Sequence, residues 1–308
     1  MTTTTTTTRN RPVRRRTIVL AALAIYVAVA VLFVVALSVS MAPSGGGAGL
    51  FGARVAIVEL EGTIVDVDDI VRELKAHRDN PTVRAVVLRI NSPGGVVAPT
   101  QELHDAVRRL RDAGKPVVAS LGAVAASGGY YVAVACDQIY ANRGTLTGSI
   151  GVIMQLPNLE QLMKKIGVDY VVVKSGQFKD VGNIARPMTA DERRVMQALL
   201  DDVHGQFIDA VAAGRKLSRE EVVRFADGRV FSGAQAKELR MVDALGGLED
   251  AVQAAGKLAG IPGTPSVIQP KRRFSIMELL RNQFGGTAAG VLLRPTLPAF
   301  RTPLYLMD

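Results

Sequence analysis

The chain has 308 residues, room for one large domain or two small ones, and its 48% hydrophobic and 21% charged residues exclude a disordered or collagen-like protein. A single cysteine, Cys136, excludes an internal disulfide framework and a multi-cysteine zinc site, and three histidines without short metal-ligand spacing speak against a histidine-built metal centre. The net charge of +9 sits in the two ends, with five arginines and no acid in residues 1–16 and six basic against two acidic residues in 271–308; the neutral body has no basic groove, and with 5% aromatics and no tryptophan nucleic acid is not an expected partner.

Thr2–Thr8 is a low-complexity polar tract, and the arginines Arg9, Arg11, Arg14, Arg15 and Arg16 follow it. Ile18–Leu37 is an unbroken apolar run of 20 residues. At ~1.5 Å per residue it is long enough to span roughly 30 Å of hydrocarbon. The basic flank lies on its N-terminal side, so residues 1–16 are expected in the cytoplasm, 17–41 as a transmembrane helix in the cell membrane, and the bulk of the chain beyond the membrane. A cleaved signal peptide is the competing reading, with Ser38–Ala42 as a cleavage-like segment, but its apolar core is normally only about 7–15 residues. Residues 42–54, centred on Gly45-Gly46-Gly47, are expected to be a flexible linker. A lone cysteine suits an extracytoplasmic compartment, since it leaves no pair to oxidise within one chain.

From residue 55 onward strand-like and helix-like segments alternate. Val55–Leu60 is a β-branched strand, Asp66–Arg78 an amphipathic helix, Ala85–Ile90 a second strand and Thr100–Asp112 a second helix with Leu103, Val107 and Leu110 at helical spacing. Val117–Ser120 is a third strand, Ser127–Ala135 a helix, Gln138–Ala141 a short strand and Leu159–Ile166 another helix. Val168–Val173 reads strongly as a strand. Ala190–Ala213 is the longest helical pattern, and Arg219–Phe225, Ala234–Leu239 and Leu248–Ala259 read as short helices. Strands separated by crossover helices predict an α/β domain with a largely parallel sheet.

Three loops could carry chemistry. In Ala125-Ala126-Ser127-Gly128-Gly129-Tyr130-Tyr131, a serine among small residues at a strand-to-helix junction can expose its hydroxyl beside outward-pointing N–H groups, as an acyl-transfer nucleophile requires. Taken alone, the same segment reads as a small-residue turn that permits tight helix packing. In Asn91-Ser92-Pro93-Gly94-Gly95, proline restricts φ and the glycines allow the backbone close to a ligand, although an ordinary strand-to-helix turn has the same composition. A serine nucleophile needs a base. His77, His104 and His204 all fall in charged helical stretches and read as solvated or surface residues. Lys179, in Ser175-Gly176-Gln177-Phe178-Lys179-Asp180, follows an apolar segment, and a buried lysine can act as a base once its pKa falls; a solvated loop lysine fits the local sequence as well.

Together with Thr145-Leu146-Thr147-Gly148-Ser149-Ile150-Gly151, these motifs resemble, in content and order, the signal peptide peptidase A family, Ser–Lys proteases distantly related to Clp protease and the crotonases. The resemblance covers roughly Val55 to Gly260. It implies a Clp protease/crotonase-like spiral of ββα units over residues 55–262, with 263–308 as a C-terminal tail. It further implies Ser127 as nucleophile, Lys179 as general base, Ser149 as the serine that orients the lysine, and backbone N–H groups of Gly94 and Gly128 as the oxyanion hole. No metal or organic cofactor is implied. The implied substrates are remnant signal peptides, apolar segments offered as extended strands, and short members of the family resemble ring-like homo-oligomers whose sites are shared between subunits. A membrane-protein quality-control protease of the same clan, a non-catalytic scaffold and a crotonase-like acyl-CoA enzyme are the alternatives. The C-terminal tail, with Lys271-Arg272-Arg273 before an apolar stretch, could touch the membrane, pack on a neighbour or enter the active-site cleft.

Overall fold

The computed structural model describes residues 23, 25–32, 52–269 and 304–306, and the chain divides into two units, Met1–Gly49 and Leu50–Asp308. In the first unit Leu23 and residues 25–32 are helical and exposed; among the described residues no helix is long and apolar enough to cross a membrane. The rest of the expected 17–41 span, the basic residues 1–16 and most of the expected linker lie outside the described residues.

The second unit is α/β with a sheet dominated by parallel pairing. Strands β1 (Arg54–Glu61), β2 (Val83–Ser92) and β4 (Val117–Ala126) are joined by helices α1 (Asp68–Asp79) and α2 (Val97–Asp112), the latter preceded by the short strand β3 (Gly94–Val96). Pairing of β1 with β2 and of β2 with β4 is parallel, so each crossover carries a helix. These strands are covered on both faces, which is why they read as near-continuous apolar runs rather than as alternating patterns. Val86, Leu88 and Ile90 pack under α1 and α2, while Val55, Ile57, Ala85 and Val87 form a second cluster under α8 (Leu248–Leu258).

Strand β4 is where the sheet divides. Along one edge it pairs with β2; along the other, Val118–Leu121 pairs with β5 (Gln138–Ala141), whereas Val124–Ala126 pairs with β6 (Leu146–Gly148). Beyond β6, strand β7 (Val230–Ser232) adds antiparallel, and β8 (Ala244–Leu245) adds parallel to β5. The carboxyl ends of β2, β4 and β6 thereby converge, the usual position for a ligand site in a parallel sheet. Helix α3 (Gly128–Ala133) leaves directly from the end of β4, and its residues are all buried. Helix α5 (Ala190–Arg215) supports it through Phe207, whose ring meets Tyr131 edge-on at 5.1 Å.

Most expected elements are present with adjusted ends, but three expectations change. Val168–Val173 forms no strand, although its residues are β-branched: a strand needs a hydrogen-bonding neighbour and the chain provides none there, so Val171 is 85% and Val173 97% exposed. The body also extends beyond residue 262. Strand β9 (Ser266–Ile268) pairs parallel with β1, and β10 (Leu304–Leu306) pairs antiparallel with β3, so two pieces of the expected tail belong to sheets. The remainder of 263–308 beyond Gln269 lies outside the described residues. Finally, His104 is not a surface residue. It is buried beside the Tyr131 ring at 5.0 Å, and burial lowers its pKa.

Phe207 is fully buried and backs the helix that follows Ser127. Phe207→Ala is expected to lower unfolding free energy by about 3–5 kcal/mol, read as a reduced midpoint in urea denaturation with an unchanged slope.

Candidate active site

The site begins with a backbone constraint. Ser127 has φ 50 and ψ −118, a region that non-glycine residues rarely occupy and that costs on the order of 1–3 kcal/mol. Its N–H donates to the Gly148 carbonyl at 2.8 Å, the last rung of the β4–β6 ladder, and its carbonyl accepts from the Tyr131 N–H, the first turn of α3. Held from both sides, the side chain is fully buried, and its Oγ has no hydrogen-bond partner. A buried hydroxyl without a partner costs about 1–3 kcal/mol, so this group is unsatisfied until something else arrives.

Gly94 and Gly128 lie against each other beside Ser127. A Cβ on Gly128 would stand 3.2 Å from Gly94 Cα, 3.2 Å from Gly95 N and 3.0 Å from Thr100 Oγ1, so glycine at position 128 fits a corner that is tight for any side chain. Gly94 itself has φ 105, and a Cβ on Gly95 would fall 2.0 Å from the Ile64 carbonyl oxygen. That second approach is fixed by two hydrogen bonds, from Ile64 N–H to the Gly94 carbonyl and from Val96 N–H to the Ile64 carbonyl. The Gly94 N–H donates to Ser92 Oγ at 3.1 Å. Ser92 is fully buried, and its part in setting this N–H was not legible in the sequence, where it read only as one residue of a turn. Thr100, also buried, donates from Oγ1 to the Val96 carbonyl and packs under the same corner.

Ser149 follows β6 directly, with φ 51 and its N–H donated to the Arg229 carbonyl; it is nearly buried. It opens onto a cleft of about 790 Å³ whose walls include Gly151, Val152, His204, Asp227 and Arg229. His204 faces this cleft with a buried Nε2 that has no partner. His77 is half-buried and lies 3.7 Å from Glu73.

Lys179 is placed differently from the other four. It lies in an exposed turn, its N–H donated to the Gly176 carbonyl, at the end of the exposed Val168–Val173 segment. Within one chain it makes no hydrogen bond to Ser127, whose Oγ is unpartnered. The segment beyond it is anchored by charge. Lys174 and Arg186 both pair with Asp180, and Arg186 also pairs with Glu192 at the start of α5. The Lys174 ammonium, then the Arg186 guanidinium, draws the Asp180 carboxyl down to about 2, and Arg186 does the same to Glu192, again to about 2. Among the described residues no group of three or more His, Cys, Asp or Glu side chains could hold a metal ion.

The sequence profile of Peptidase family S49 matches residues 109–262. A candidate protease of Synechocystis sp., slr0021, is 51% identical over 177 residues, 58% of this chain and 64% of the relative. Protease 4 of Haemophilus influenzae is 35% identical over 214 residues, 67% of this chain and 35% of the relative. A candidate signal peptide peptidase SppA of Enterococcus faecium is 35% identical over 185 residues, 60% of this chain and 54% of the relative. The chain thus spans less than two thirds of the length of each of these relatives.

Asp180 and Glu192 are more acidic folded than the ordinary carboxylate near 4, so the stability they contribute is complete above about pH 4.5 and is lost as pH falls from there toward 2. Arg186→Ala is therefore expected to lower the thermal midpoint at pH 7, with the gap from the native protein closing between about pH 4.5 and 2. Calorimetry across that range checks it; a gap independent of pH would contradict it.

Proposed function

The chain belongs to peptidase family S49, and from that premise we propose that it is a serine endopeptidase with Ser127 as nucleophile and the partner subunit's Lys179 as general base. The observation that carries this reading is the Ser127 hydroxyl: buried, without a partner, and held at a positive φ beside the packed backbones of Gly94 and Gly128. Strain and an unsatisfied polar atom in one residue are costs that a merely structural turn has no reason to carry.

The chemistry follows from those positions. The lysine amine, neutral in a water-poor site, takes the Ser127 proton as Oγ bonds to the scissile carbonyl carbon. The developing oxyanion is met by the Gly128 N–H, and by the Gly94 N–H once it turns from Ser92 Oγ; losing one such donor typically costs about 10²–10³ in rate. The C–N bond then breaks as the lysine ammonium returns its proton to the leaving amine, leaving an acyl-enzyme on Ser127. Water, deprotonated by the same lysine, hydrolyses that ester and regenerates the serine. Ser149 orients the amine from the neighbouring strand end. No metal or organic cofactor enters any step.

A base supplied across an interface is supported by the arm that carries it. Residues 159–178 expose Leu162, Ile166, Val168, Tyr170, Val171, Val173 and Phe178 in one stretch, a larger apolar surface than a monomer ordinarily leaves uncovered. Packing that arm on a second copy, against the cleft beside Ser149, would bring the partner subunit's Lys179 toward Ser127 and desolvate its amine, which favours the neutral base. The contact is head-to-tail, and repeated it closes a ring. The framework is the Clp protease/crotonase-like spiral, anchored through residues 17–41 with the catalytic body outside the cytoplasm. The substrates on this reading are remnant signal peptides, apolar and extended, for which the cleft beside Ser149 offers Val152, Ile153, Leu200 and Val230 among its polar walls.

Ser127→Ala and Lys179→Ala are each expected to lose about 10³-fold or more in kcat/KM on a quenched fluorescent peptide. Unfolding and reassembling the two inactive variants together in equal amounts should restore about a quarter of native activity, since random mixing pairs an intact serine with an intact lysine at one site in four. No recovery in assembled mixtures would place both residues in one chain.

A further inference from the structure

Gly94 is held on three sides, and each contact constrains a different group. Its carbonyl accepts the Ile64 N–H at 2.9 Å, its Cα lies against Gly128, and its N–H donates to Ser92 Oγ at 3.1 Å. Ser92 in turn has little freedom. It closes the β2–β4 ladder opposite Ala125, and its side chain is fully buried. The start of α3 presses on it so closely that a Cβ on Gly129 would stand 2.8 Å from the Ser92 carbonyl oxygen and 3.5 Å from Ser92 Cβ. A hydroxyl fixed in this way is a standing acceptor for the Gly94 N–H. The two polar groups that the proposed reaction needs are thus in opposite states: the Ser127 hydroxyl has no partner, whereas the Gly94 N–H already has one.

We propose that Ser92 is a positioning residue whose hydroxyl stands in for the oxyanion while the site is empty and gives up the Gly94 N–H as the tetrahedral intermediate forms. The inference rests on the peptidase reading above and concerns how its oxyanion hole is assembled. An oxyanion hole without substrate is a buried donor without an acceptor, a costly state in a folded protein. The neutral Ser92 hydroxyl relieves that cost. An oxyanion then displaces it, because a charged acceptor holds an N–H about twice as strongly as a neutral one.

The backbone allows the exchange. The Gly94 N–H belongs to the planar peptide unit between Pro93 and Gly94, so it turns by paired rotation about Pro93 ψ and Gly94 φ while the Gly94 carbonyl stays on Ile64. Gly94 has φ 105, a region open to glycine almost alone, and a half-turn of the unit takes it to about −75, which every residue adopts. The proline ring is left untouched, because it fixes φ and not ψ. Breaking the Ser92 bond then forms part of the barrier to acylation. That bond is made in the ground state and absent from the transition state, so it lowers kcat and leaves KM unchanged.

The test uses the full chain, as parent and two variants, with a quenched fluorescent peptide for turnover and a trileucine boronic acid as probe. In the adduct Ser127 Oγ donates an electron pair to boron, its proton passes to the lysine amine, and a boron-bound oxygen takes the oxyanion position. Ser92→Ala removes the stand-in acceptor and is expected to raise kcat about tenfold at unchanged KM and to tighten boronate binding by the same factor. Ser92→Thr keeps the hydroxyl and is expected to match the parent. Titration with the boronate counts intact sites, so rates are compared per site. An unchanged or lower kcat per site in Ser92→Ala, or the same gain in Ser92→Thr, would overturn the proposal. A crystal structure of the parent adduct decides the matter whether or not either variant folds: the Gly94 N–H is expected on the boron-bound oxygen, and a retained 3.1 Å bond to Ser92 Oγ refutes the exchange. Cleavage with that bond retained leaves the peptidase reading standing and removes this one; a parent that neither cleaves peptide nor takes up the boronate removes both.

Discussion

One hydrogen bond, from the Ser127 N–H to the Gly148 carbonyl, organises the rest of the site. It closes the ladder between β4 and β6 at the point where the chain must turn through a positive φ to enter α3, so the strained residue is held by the sheet on one side and by the helix on the other. The division of the sheet at β4 makes this possible. Had β5 paired along the whole of β4, Ser149 would have no place beside Ser127; because β5 covers only the first half, β6 takes the second and brings the Gly148-Ser149 corner with it. Glycines at 95 and 128 then let backbones approach more closely than a side chain readily allows, and Gly94 supplies a positive φ. Rigidity here is a matter of over-determination, as strained functional residues generally require.

The arm from residue 159 to 180 has the opposite character. Its apolar side chains face outward, its strand-forming segment has no strand to join, and it is held at its two ends, by the Leu159 N–H donated to the Ile184 carbonyl and by the Lys174, Arg186, Asp180 and Glu192 charges. Burying a valine side chain is worth about 1.5–3 kcal/mol, so a surface carrying Val168, Val171 and Val173 favours a covered state. The reading of a shared site joins these two observations: a hydroxyl buried without a partner and a lysine exposed without a site are complementary halves. Charge at the far end of the arm serves that reading by fixing where the arm rejoins the body while leaving its apolar face free to pack.

Edges complete the picture. A free strand edge is an invitation to unwanted pairing. Among the described residues one edge of β3 is paired with β10 and the other bridged by Ile64.

Much of this was legible in the residues. The apolar, β-branched runs at β1, β2 and β4 and the helical spacing of α2 and α5 are local patterns, set by periodicity and confirmed in place. The loops at 91–95, 126–131 and 145–151 stand out because small residues mark close backbone approach. Less legible were Ser92, whose hydroxyl receives the Gly94 N–H, and His104, buried because α2 turns that face onto Tyr131. The failed strand at Val168–Val173 is the clearest lesson, since propensity proposes a strand but only a neighbour's N–H and carbonyl groups can complete one. By itself, then, the sequence determined the α/β class, the order of the core elements and the set of chemically capable loops, because each depends on residues adjacent in the chain. Which edge of β4 meets β6, which glycines touch, which serine is left unsatisfied and where the C-terminal strand pairs were decided only by the tertiary structure, because each is a contact between segments whose separation along the chain leaves no trace in local pattern.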